Sequence, residues 1–146
     1  MAVSVKSISL WRSEVPNRPG ALAGVLKPLA NAGVDLHVMM AYRFPGGEDR
    51  AAIEVYPVSG KKATAGAQAA GLGSSGIPSL LIQGDNRPGL GHAIAQTLGD
   101  AGINMTFQVA QVIGRRFSAV LGFESEADAK RASGLIRKVA ATGRRR

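Results

Sequence analysis

The chain of 146 residues contains no cysteine, so neither a disulfide framework nor a thiolate metal site is available to it. Aromatic residues make up only 5% against a hydrophobic fraction of 45%, which predicts a core packed from aliphatic side chains. No stretch reaches the roughly 18 consecutive apolar residues of a membrane span. The opening MAVSVKSISLW lacks a basic segment followed by an unbroken apolar run, so it does not read as a secretory signal, and a cytoplasmic protein is expected. The two histidines are His37 and His92; His37 shares a strand phase with Asp35, a two-ligand pair that lacks the third and fourth ligands usual at zinc. Neither a Ser/His/Asp arrangement nor a catalytic carboxylate pair stands out, which argues against an enzyme. Nothing in the sequence calls for a cofactor or a metal. Acids are missing from one place in particular. Between Lys130 and Arg146 there are seven basic residues and no acid, and this segment supplies much of the net charge of +8. It reads either as a solvated helix face with a basic tail or as a contact for nucleic acid or another polyanion through Arg137, Lys138 and Arg144 to Arg146. Aromatics that would stack on bases do not interleave with these charges.

The sequence is rich in repetition. Asn17-Arg18-Pro19-Gly20 returns as Asn86-Arg87-Pro88-Gly89, and over positions 17–36 and 86–105 seven of twenty residues coincide. Each copy opens an apolar stripe at helical spacing: Leu22, Val25, Leu26 and Leu29 in the first, Leu90, Ile94 and Leu98 in the second. Gly33 and Gly102 then stand where helix-ending glycines belong. Pro28 interrupts the first helix, where an interior proline costs about 3 kcal/mol.

Period-two strands follow both helices. Val34 to Phe44 turns through Pro45–Asp49 into Ala51–Val58, and Ile103 to Ile113 turns through Gly114-Arg115 into Phe117–Phe123. An alternating segment from Val3 to Trp11 reads as the strand before the first turn, and Ser79 to Gln83 as the strand before the second. Lys61 to Leu72 predicts a second, Ala-rich helix. Ser125 with Asp128 three residues on predicts a capped last helix carrying Leu135, Ile136 and Val139. The segment Gly71 to Gly76 matches GxGxxG but lacks the preceding strand and following helix of a dinucleotide site, so it reads as a linker. The expected division is residues 1–73 and 74–146.

This twice-written β-α-β-β-α order, with N-R-P-G at the first turn and A-G-(V/I)-(D/N) entering the second strand, resembles the ACT domain. The resemblance implies an α+β, ferredoxin-like (βαββαβ) fold in each repeat, with an antiparallel sheet and helices on one face, and a regulatory role in which a small ligand, usually an amino acid, is bound. A separate final strand is visible in neither repeat, so the sheet is expected to be shared between repeats or completed across a dimer.

The turn has its own logic. Proline suits the first helical position, asparagine accepts from unpaired N–H groups, and a helix N-terminus attracts a carboxylate. The glycines Gly20 and Gly89 are read as making room for a close approach to the backbone. On the resemblance to ACT domains that regulate serine biosynthesis, the ligand residues are Asn86 and Asn104 in the second repeat, and Asn17 and Asp35 in the first, with Arg87, Gly89, Arg18 and Gly20 completing the two turns. The second repeat keeps both asparagines and is favoured, since Asp35 repels a carboxylate while suiting an ammonium group. The expected partners are an amino-acid ligand, a second copy of the chain, and an enzyme or regulator that reads the ligand state. A polyanion binder and a purely structural assembly module are the other classes considered.

Overall fold

The computed structural model describes residues 3–142, and among these it contains eight strands and four helices. They form two compact units. Ser9–Gly76 is one; Ile77 onward, joined by the start of the chain through Ile8, is the other.

In the first unit, β2 (Trp11–Pro16), β3 (Val38–Phe44), β4 (Gly47–Tyr56) and the two-residue β5 (Gly73–Ser74) make an antiparallel sheet in the order β3-β4-β2-β5. Helices α1 (Ala21–Asn31) and α2 (Lys61–Ala69) cover one face of it. Val25 and Leu29 of α1 and Ala67 of α2 bury against Ile53, Val55 and Leu72, with Trp11 and Val15 at the margin. The helical stripe read from the sequence therefore has the physical role expected of it. α1 runs through Pro28 and closes on Gly33, which has φ 73°. Gly33 N–H donates to Ala30 O, and Val34 N–H donates to Leu29 O, the paired bonds of a Schellman ending. Helix α2 comes so close to α1 that a Cβ on Gly66 would lie 2.9 Å from the Pro28 carbonyl oxygen, so only glycine fits there without a shift.

In the second unit the sheet order is β1-β6-β8-β7, with β1 (Ser4–Ile8), β6 (Ser79–Asp85), β7 (Met105–Ile113) and β8 (Arg116–Phe123), all neighbours antiparallel. Helices α3 (Leu90–Asp100) and α4 (Glu126–Thr142) cover one face. The core there is larger and mostly aliphatic: Leu80, Ile82, Leu90, Ile94, Leu98, Leu121 and Ile136 are each at most 2% exposed, joined by Phe117 and Phe123. Ser125 Oγ accepts from the Asp128 N–H at 3.1 Å, the N-cap expected for α4.

Each half thus has the ferredoxin-like arrangement, α+β with two helices on an antiparallel four-stranded sheet. Four expectations are corrected. The segment Val3 to Trp11 is two strands, broken at Ser9-Leu10, and its first part pairs with β6 of the second half: Val5 lies opposite Ile82 and Ile8 opposite Ser79. β6, whose Leu80 and Ile82 are core residues, gains from β1 the outer neighbour that no described segment after α4 provides. The division of the chain accordingly differs from 1–73 and 74–146. The GxGxxG segment is also more than a linker, because Gly73 and Ser74 pair with Arg12 and Trp11 and fill the fourth position of the first sheet. Finally, β7 shifts register between Met105 and Phe107. Met105 packs on the helical core, and the shift interrupts the unbroken period-two strand expected from Ile103 to Ile113.

Candidate functional site

The repeated turn has the same geometry in both halves. Ala21 N–H donates to Arg18 O and Leu90 N–H to Arg87 O, both at 3.2 Å. Gly20 has φ 87° and ψ −10°, and Gly89 has φ 83° and ψ 0°. These values, with proline in the preceding position, define a type II turn. Proline therefore precedes the helix by two positions and does not open it. The glycines are needed for their left-handed backbone, since the space a Cβ would take at either is empty. No side chain caps the N-terminus of α1 or α3, so the asparagines do not serve as helix caps. Instead Asn17 N–H donates to Asp49 O and Asn86 N–H to Arg115 O, both at 2.8 Å, tying each turn to the hairpin beside it.

The other candidates lie far from the turns of their own half. Pro16 pairs with Arg50 near the β3–β4 hairpin, whereas Asp35 precedes the opposite end of β3, where Val38 pairs with Tyr56. At about 3.3 Å per residue this separates Asn17 and Asp35 by roughly 20 Å. Asn86 and Asn104 are likewise at opposite ends of β7 and β8. Within one unit, neither pair can touch a single small ligand.

Beside the first turn is an open cleft of about 250 Å³, lined by Asn17, Arg18, Leu22 and Arg43 among others. Arg18 and Arg43 make no ion pair or hydrogen bond among the described residues. Arg87 differs from Arg18: its Nη2 donates to Val139 O of α4 at 3.2 Å, so it clamps the second turn to the last helix. Asp35 pairs with His37 at 3.5 Å, both well exposed, beside a cleft of about 460 Å³ that Lys61 and Lys62 also line. Among the described residues no group of three potential metal ligands occurs. His92 is exposed on the first turn of α3. The basic run of α4 is partly committed to the fold, since Arg131 donates to Ala101 O and Arg137 to Val5 O. Arg144 to Arg146 lie outside the described residues. None of the described helices is long and apolar enough to cross a membrane.

One buried group escaped the sequence reading. Glu54, on β4, is fully buried on the sheet face turned away from the helices. Tyr42 Oη donates to its Oε2 at 3.1 Å, while Oε1 and the neighbouring Arg12 Nε have no hydrogen-bond partner among the described residues. The Arg12 guanidinium bonds Glu14 at 3.4 Å and stacks 5.7 Å from the Phe44 ring. The sequence marked Ala51–Val58 only as the returning strand of a hairpin and carried no signal that singled out Glu54. Burial, then the charge and hydrogen bond of Glu54, raise the Tyr42 pKa above its usual 10.0. The folded state holds that proton more tightly, so the associated stability is present below pH 10 and is lost as pH rises through the raised value. Tyr42→Phe is expected to remove this alkaline slope from a series of urea unfolding curves, at a cost near neutrality of about 1–2 kcal/mol for the lost hydrogen bond to a carboxylate.

No protein-family model matches the sequence, and no curated protein matches it significantly. Solved structures do resemble it. A protein from Bacteroides thetaiotaomicron superposes with a TM-score of 0.70 at 13% identity, covering 92% of this chain and 98% of that one. The ligand-free regulatory subunit of aspartate kinase from Thermus thermophilus gives 0.63 at 18% identity, covering 95% and 97%. A putative C-terminal regulatory domain of aspartate kinase from Porphyromonas gingivalis gives 0.58 at 11%, covering 95% and 96%. The fold is therefore that of tandem ACT-type, ferredoxin-like domains, matched over nearly the full length of each of these chains.

Proposed function

We propose that the chain is a non-catalytic regulatory sensor that binds an amino acid and passes its occupancy to a partner enzyme or regulator in the cytoplasm. The observation that supports this most is the full-length likeness to the aspartate kinase regulatory subunit, in a chain whose two type II turns leave their helix N-termini without a side-chain cap. Such N-termini favour a carboxylate. Because Asn17 and Asp35, or Asn86 and Asn104, cannot meet within one unit, the ligand in this reading is held between the turn of one chain and the second strand of another copy in a homodimer. Binding then favours one arrangement of the copies by its differential affinity for it.

Thermal unfolding with each common amino acid at millimolar concentration tests the reading. A ligand at 100 times its Kd adds about 2.7 kcal/mol, a rise of several degrees in Tm. A shift with one or a few amino acids is the expected result; twenty unchanged curves would remove the sensor reading.

A further inference from the structure

The two halves carry the same elements, and one position distinguishes their turns. Ala51 pairs with Val15 on one side and Arg43 on the other. Phe117 pairs with Gly84 and Val112, the residues that stand sixty-nine positions after Val15 and Arg43, the same offset that separates the two turns. Ala51 and Phe117 therefore occupy the same place in their sheets. Ala21 and Leu90 are likewise equivalent, each the first residue of the helix after its turn. In the second half the two large side chains are core, with Phe117 at 6% and Leu90 at 1% exposure. In the first half the two alanines line the 250 Å³ cleft. The charge differs as well: Arg43 stands where the second half has Val112, and Arg18 is unpaired where Arg87 is spent on Val139.

From this asymmetry we infer that the ligand cleft belongs to the first half alone and takes a carboxylate bearing a compact apolar side chain. The proposal rests on the sensor reading and narrows it. Arg18 and Arg43 line the cleft with no acid among its described lining residues, and arginine forks match carboxylate geometry. Its walls are aliphatic, from Ala21, Leu22 and Ala51. At about 250 Å³ the cleft lies below the roughly 300–1,000 Å³ of common ligand pockets, which favours a compact ligand. Branched-chain amino acids and the corresponding 2-oxo acids share this chemistry. An ammonium group finds no counter-charge among the described residues of the cleft, and in the sensor reading meets Asp35 of a second copy.

Isothermal titration of the full chain with valine, leucine, their 2-oxo acids and inorganic phosphate tests the assignment. The expected result is one ligand per chain, with affinity reduced tenfold or more by Ala51→Phe, which installs the residue of the second half, and independently by Arg43→Gln. Circular dichroism and melting serve as the check on folding, and Arg43→Gln decides the matter if Ala51→Phe does not fold. A preference for the amino or the oxo acids identifies the source and supports the cleft either way. Two ligands per chain, or binding undiminished in both variants, would overturn the placement while leaving the sensor reading intact. Phosphate binding as tightly as the carboxylates would overturn the assigned ligand class. If neither these compounds nor any other amino acid binds, both readings fall.

Discussion

Removal of residues 1–8 is expected to unfold the second half of the chain while residues 9–76 stay folded. β1 buries Val5 and Ile8, each 6% exposed, and forms a five-residue ladder with β6. Full burial of one such side chain contributes about 1.5–3 kcal/mol. Two of them, with the ladder and the Arg137 bond to Val5 O, amount to much of the roughly 5–15 kcal/mol that holds a typical domain. The first half loses no strand, because its fourth position is filled by Gly73–Ser74. Hydrogen exchange read by mass spectrometry separates the halves: fast exchange across β6, β8 and α4 with retained protection across β4 and α1 is the expected pattern. A peptide of residues 1–9 added in trans should restore part of the lost protection. Equal loss in both halves would mean that the strand is not local to the second sheet.

Phe117→Ala is expected to cost about 3–5 kcal/mol, the usual range for truncating a buried phenylalanine. The ring sits in the core with Leu90 and Leu121, and alanine there would recreate in the second half the space that Ala51 leaves in the first, with Val112 in place of Arg43 and Arg87 bonded to Val139 O. The sole tryptophan, Trp11, is in the first half, so its fluorescence reports the wrong unit. Amide exchange in β8 against urea is the suitable probe. Its midpoint should fall with little change in m, because the surface exposed on unfolding hardly changes. The reverse change, Ala51→Phe, fills an open cleft and is expected to cost about 1 kcal/mol or less.

These two positions also mark where the sequence was readable. The turns, the stripes Val25–Leu29 and Leu90–Leu98, both hairpins and the Ser125 cap follow from local patterns that the tertiary fold reinforces. The equivalence of Ala51 and Phe117 does not, because the first hairpin is longer and the offset between the halves falls from sixty-nine to sixty-six residues beyond it. A plain alignment of the repeats therefore hides the cleft. The exchange of β1 was hidden for another reason: alternation announces a strand but carries no information about its neighbour. A two-residue strand such as β5 has too few residues for any period, and a register shift like that at Thr106 leaves no residue signature here. The burial of Glu54 was not legible because alternation tells which face a side chain takes, while the covering of that face is a tertiary fact.

The pairing of Ile8 with Ser79 also gives the molecule an order of assembly. During synthesis β1 leaves the ribosome more than seventy residues before its partner β6, with the whole first unit emerging in between. The first unit closes on contacts within its own sixty-eight residues. The second is finished only when the beginning of the chain returns to it, across a loop whose closure entropy is reduced by the folded unit already standing inside it. The sheet of the second unit is thus sealed by a strand made before any of the first unit.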